Sequence, residues 1–120
     1  MRKTVNIGGT DYNMKSSALT QFKYRDKTGR KLMQDINKFT ELKDKGTDLL
    51  NDIDDILEVA LQVAYVMIEE ADPKQVNSFN DFLSKADNLF EDEQWINDVI
   101  ELAVAPISGG NKGNPQPITK

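Results

Sequence analysis

The stretch that most restricts how this chain can fold runs from residue 48 to residue 68. Its first turns are acidic, as a helix N-terminus prefers, and Thr47 or Asp48 is placed to open it. Leu49, Leu50, Ile53, Ile56, Leu57, Ala60, Leu61 and Ala64 recur at helical spacing, and residues 63–68 are apolar nearly all round. A helix that is apolar on every side needs neighbours on every side. Residues 56–68 are therefore the expected centre of the fold, and the rest of the chain must surround them.

The first neighbour is a β-hairpin. Thr4-Val5-Asn6-Ile7 and Tyr12-Asn13-Met14 alternate apolar and polar, and Gly8-Gly9-Thr10-Asp11 lies between them. Glycine supplies the positive φ that tight hairpin turns need, and Val5, Ile7, Tyr12 and Met14 fall on one face. A lone hairpin is marginal in water, so that face must pack on helices.

Four further helices are predicted. Ser16 or Ser17 caps the first, whose buried side would carry Ala18, Leu19 and Phe22 and which ends at Thr28-Gly29 with Arg25 and Lys27 in its last turn. Tyr24 falls off that stripe, either as an exposed aromatic or as a contact to the hairpin. A second helix presents Leu32, Met33, Ile36 and Phe39, then fades into the polar turn Lys43-Asp44-Lys45-Gly46. Asp72-Pro73 stops the central helix and starts a fourth, with Asp72 as cap and a stripe of Val76, Phe79, Phe82, Leu83, Ala86, Leu89 and Phe90. Asp92 opens a fifth, carrying Trp95, Ile96, Val99, Ile100, Leu102 and Ala103 and closed by Pro106. The expected fold is thus mainly α: an N-terminal β-hairpin and a compact bundle of about five helices in one domain, residues 1–106. Residues 107–120, rich in Gly, Asn and Pro with almost nothing to bury, read as a flexible tail.

The composition removes whole classes of chemistry. The chain has neither cysteine nor histidine. Disulfides, thiolate catalysis, zinc sites of ordinary ligand type and imidazole acid–base work are excluded together. No catalytic, cofactor-binding or metal-binding residue stands out, and the expectation is a non-enzymatic binding or assembly protein. The most apolar stretch carries Glu58 and Gln62 and is shorter than the ~18 apolar residues of a membrane span, so a cytoplasmic protein is expected.

Three groups invite a site. Asp48, Asp52, Asp54 and Asp55 are the densest acidic cluster, but they lack the alternating ligands, glycine and terminal glutamate of a calcium loop and fall on a helix. Gly8-Gly9 and Gly109-Gly110 do not match a phosphate loop and read as turn and tail. Lys23, Arg25, Lys27, Arg30 and Lys31 flank Phe22 and Tyr24, the one place for nucleic-acid contact, although the pI of about 4.7 opposes it. Phe79, Phe82, Phe90 and Trp95 are core by default. A small domain carries more large apolar groups than one core hides, however, so part of the helix 4–5 surface reads as an interface. Tyr24, Phe82, Phe90 and Trp95 are the candidate partner anchors.

Charge is unevenly placed. Residues 1–45 carry +6, residues 46–106 carry −13 and the tail +2. Either the halves attract each other within one fold, or the basic half of one copy meets the acidic half of another and the protein self-associates.

The order of parts resembles a known family. The hairpin, the segment Phe22-Lys23-Tyr24-Arg25-Asp26-Lys27-Thr28-Gly29-Arg30-Lys31-Leu32, the long acidic-to-apolar helix, Ser78-Phe79-Asn80-Asp81-Phe82-Leu83 and the Trp-bearing last helix are together similar to tail assembly chaperones of long-tailed (siphovirus-type) phages and prophages of Gram-positive bacteria. The resemblance covers residues 3–106. It implies a small, acidic, non-enzymatic protein that coats the phage tape measure protein, keeps it soluble and recruits tail tube subunits in the cytoplasm of the host. Such a protein leaves before the virion is mature, and a longer frameshifted form is common in the family. Two readings compete: a nucleic-acid-binding regulator using the basic run 23–31, and a structural connector that stays in the virion.

Overall fold

The computed structural model describes residues 1–44, 49–89 and 94–106, without the side chains of Phe39, 42–44 and 49–55. The central helix, α3, spans Leu49–Ala71. From Val59 to Ile68 every side chain except Gln62 is buried, as all-round apolarity demands.

The hairpin lies against this helix. β1 (Arg2–Ile7) and β2 (Thr10–Lys15) pair antiparallel, with Val5 opposite Tyr12 and Ile7 opposite Thr10. Gly8 and Gly9 both have positive φ, +61° and +92°, the backbone that a two-residue turn of matching twist requires. Val5, Ile7, Tyr12 and Met14 are all buried, as their alternation predicts. β2 packs on α3 and β1 on α5 (Gln94–Val104), so the hairpin bridges two helices. The outer edge of β2 is closed by a side chain. The Gln75 amide accepts from Asn13 N and donates to Asn13 O, both at 2.8 Å, in the manner of a neighbouring strand.

Two other helices precede α3 in the chain. α1 (Ala18–Thr28) is capped by Ser17, whose Oγ accepts from Leu19 N while Ser17 N donates to Thr20 Oγ1. Gly29 ends it in the left-handed conformation, φ +74°, with its N–H on Arg25 O. α2 (Leu32–Asp44) buries Leu32 and Ile36.

Two predictions about these elements fail. The inward face of α1 is Thr20 and Tyr24, not Ala18, Leu19 and Phe22, which are exposed. Hydrogen bonding outweighs apolarity in setting that helix's rotation, as shown below. The second failure concerns the single helix expected from Asp72 to Phe90. Asp72 and Pro73 open only a 3-10 turn, Pro73–Gln75. Gln75 is then held by β2, and Val76 takes an extended conformation that turns it into the core. A fresh cap, Ser78, starts α4 (Phe79–Lys85), and the chain leaves helical conformation at Ala86. Asn88 adopts a left-handed φ of +51°, for which its short polar side chain is suited. The overall architecture is the expected one: mainly α, with five α-helices and a two-stranded hairpin among the described residues. Asp92 as a helix cap and the tail 107–120 lie outside the described residues.

Candidate functional site

The surface built by α1 and the start of α2 begins with what holds α1 down. Thr20 is fully buried, and its Oγ1 donates to Glu70 Oε1 at 2.7 Å, while Ser17 Oγ donates to Glu70 Oε2 at 2.6 Å. One carboxylate near the end of α3 thus grips the first turn of α1 with two charge-assisted bonds. One turn on, Tyr24 is 1% exposed and its hydroxyl donates to Asp35 Oδ2 at 2.6 Å. Burial, and then that bond to Asp35, push its phenol well above the ordinary tyrosine value.

With Thr20 and Tyr24 inward, Leu19 and Phe22 must point out. They are 51% and 49% exposed, and they are three residues apart on one helix face. The Arg25 guanidinium sits 5.7 Å from the centre of the Phe22 ring, a cation–π distance. Beside it, a groove of about 200 Å³ runs between α1 and α2, walled by Phe22, Arg25, Lys31, Leu32 and Met33 with Gln21 and Gln34.

The basic run divides in two. Lys27 pairs with Glu69 at 2.8 Å and lies over the Tyr65 ring. Arg30 pairs with Asp35 at 3.0 Å and reaches Glu58 at 3.6 Å. Lys23, Arg25 and Lys31 form no ion pair among the described residues, and two of them edge the groove. Lys3 with Asp98, Lys27 with Glu69 and Arg30 with Glu58 each join the basic half to the acidic half inside one chain. Attraction within the fold is therefore real, and it leaves the groove cations over.

A second concavity, about 390 Å³, lies where the hairpin turn meets the α4–α5 connection. Asn6, Gly8, Gly9, Asp87, Asn88, Gln94, Trp95 and Asp98 line it. Gly8 has no room for a side chain there: a Cβ would stand 2.6 Å from Asp87 N.

The anchors expected from sequence are placed differently. Tyr24 is neither exposed nor held by the hairpin; it is wired to α2. Phe82 is fully buried, edge-on to Tyr12 with ring centres 5.4 Å apart. Trp95 is buried and donates its indole N–H to Leu89 O at 2.8 Å. These three are core groups: α2 holds Tyr24 through Asp35, and the hairpin covers Phe82 through Tyr12. Phe90 lies outside the described residues. On α4 it is Leu83, beside Phe82, that faces solvent. Leu19 and Phe22 were hidden from sequence reasoning by their apolar character, and the one signal available was the Ser17–Thr20 cap, which fixes Thr20 on the inner side.

Asp52, Asp54 and Asp55 do fall on α3, whereas Asp48 and Gly109-Gly110 lie outside the described residues. Among the described residues no group of three acidic side chains is arranged to hold a metal ion, and no helix is long and apolar enough to cross a membrane. No protein-family model, curated protein or solved structure matches this chain.

Proposed function

We propose that this chain is a phage tail assembly chaperone: a non-enzymatic cytoplasmic protein that binds the tape measure protein, keeps it soluble, associates with copies of itself and helps to recruit tail tube subunits. The reading rests on the resemblance of residues 3–106, and one observation supports it above the others. Phe22, the first residue of the segment 22–32 that carries part of that resemblance, stands exposed with Leu19 of the preceding turn, beside Arg25. Half-exposed apolar groups at i, i+3 on a well-anchored helix suit the apolar face of a long helical partner. Co-expression with a phage tape measure protein tests it. The partner should become soluble with the wild-type chain and remain insoluble with Phe22→Ser. Equal insolubility with and without the chain would sink the proposal.

A specific observation favours the nucleic-acid reading: Phe22 stands among Lys23, Arg25 and Lys31, which form no ion pair among the described residues. Retention on DNA that falls steeply with salt would favour it. Recovery of the chain from purified virions would favour the connector reading instead.

A further inference from the structure

The ion pairs inside the fold leave charge over on two surfaces of opposite sign. The α1–α2 groove has cations and apolar walls, Arg25 and Lys31 with Phe22 and Met33, and among the described residues no carboxylate lines it. The cleft at the hairpin turn is lined by Asp87 and Asp98 with the amides of Asn6, Asn88 and Gln94; Lys3 reaches Asp98 at its wall, and Asp87 carries the charge left over. Asp87 is exposed and makes no hydrogen bond or ion pair among the described residues. Asp98 is held at the wall by Lys3 at 3.0 Å and Gln94 at 3.1 Å, both on Oδ1. Under the cleft Gly8 lies against Asp87 closely enough to exclude a Cβ.

We infer that the occupant of the α1–α2 groove is a second copy of this chain, which presents its Asp87–Asp98 cleft to the Arg25 and Lys31 of the first. The inference rests on the self-association within the proposed function and not on the tape measure protein. Groove and cleft are different surfaces of one chain, so the contact is heterologous: each added copy leaves one groove and one cleft free. The product is a row of copies that ends only if the rotation between neighbours closes it into a ring. The contact is weak and salt-sensitive, since exposed ion pairs contribute only ~0–1 kcal/mol each and are screened beyond about 8–10 Å in physiological salt.

Sedimentation of the full chain over a concentration series, at low and at high salt, reads this directly. At low salt the average mass of the wild type should rise with concentration past the dimer, and high salt should return it toward the monomer. Arg25→Ser/Lys31→Ser, which empties the groove of charge, and Asp87→Lys, which reverses the cleft, should each lower the association constant about fivefold or more, the loss expected for roughly 1 kcal/mol. Lys74→Glu, an exposed cation that lines neither surface, should leave association as it is. A mixture of the groove and cleft variants retains one good groove and one good cleft, so it should assemble to a dimer and stop. An unchanged far-ultraviolet circular dichroism spectrum and unfolding midpoint in each variant confirm that the fold is intact. A wild type that is monomeric at every concentration in low salt, that stops at the dimer, or that ignores both variants would overturn the inference. Asp87→Lys leaves the Leu19–Phe22 face untouched. If that variant still solubilises the long partner, row formation and partner binding are shown to be separate, so either idea can fall without the other.

Discussion

α3 is held in two different ways along its length, and the contrast explains most of what this chain does and does not reveal. Against the hairpin, α4 and α5 it packs through apolar groups: Val5, Ile7, Tyr12, Met14, Phe82 and Trp95 form one buried cluster with residues 59–68. Against α1 and α2 its acidic residues reach out to polar groups: Glu70 holds Ser17 and Thr20, Glu69 holds Lys27, and Glu58 meets Arg30. The first contact is broad and insensitive to the exact position of any one atom. The second fixes the rotation of a helix through a few directional bonds. That difference is why α1 can turn its apolar groups to solvent and still be anchored.

The largest expected effect lies on the apolar side. Phe82→Ala removes a fully buried ring that meets Tyr12 edge-on and should cost about 3–5 kcal/mol in denaturant unfolding. A loss under 1 kcal/mol would mean that the hairpin and α4 are not locked together as described. On the polar side, Glu70→Ala leaves the buried Thr20 hydroxyl without its acceptor and should cost about 1–3 kcal/mol. The same measurement on Glu70→Gln should give a smaller loss, since the amide oxygen keeps one acceptor. If the two variants are equal, α1 is not held by these bonds.

Tyr24 sharpens the comparison through pH. Its phenol ionises higher in the folded chain, chiefly because it is buried and then because it donates to Asp35. Stability from the neutral phenol is therefore complete below the ordinary tyrosine value of about 10 and is lost as pH rises above it, where the unfolded chain releases the proton first. Tyr24→Phe should cost about 1 kcal/mol at neutral pH, and its stability should fall less steeply than the wild type's above about pH 10. Parallel curves for the two proteins would place Tyr24 in a polar, open setting. The smallest effect is expected at the surface: Leu19→Ser and Phe22→Ser should each shift stability by no more than about 0.5 kcal/mol. A larger loss would return these side chains to the core, where their apolar character alone would have put them.

The sequence makes the apolar side legible because burial there follows periodicity. The alternation of Val5, Ile7, Tyr12 and Met14 and the all-round apolarity of residues 63–68 state their own surroundings, and both are found as read. The polar side leaves no such trace. Nothing in the spacing of Thr20 and Glu70, fifty residues apart, marks them as partners, so Leu19 and Phe22 were assigned inward by hydrophobicity. The break between the Pro73–Gln75 turn and α4 was missed for a related reason: Gln75 is drawn away by the backbone of Asn13, a distant polar contact that overrides a continuous apolar stripe. The candidate site inherits both errors, since its true walls are set by Thr20 and Tyr24 and not by the aromatics that looked most like anchors.

Gly8 pressed against Asp87 also sets an order of events in time. The tip of the hairpin is made well before its neighbour, which lies seventy-nine residues further on. At synthesis rates of about 5–20 residues per second, roughly 4–16 s separate the two. A two-stranded ribbon is marginal alone, and the buried face of this one waits for α3 and then α5. The hairpin strands therefore settle only after the helices that follow them, and until then Val5, Ile7, Tyr12 and Met14 stay uncovered on the growing polypeptide.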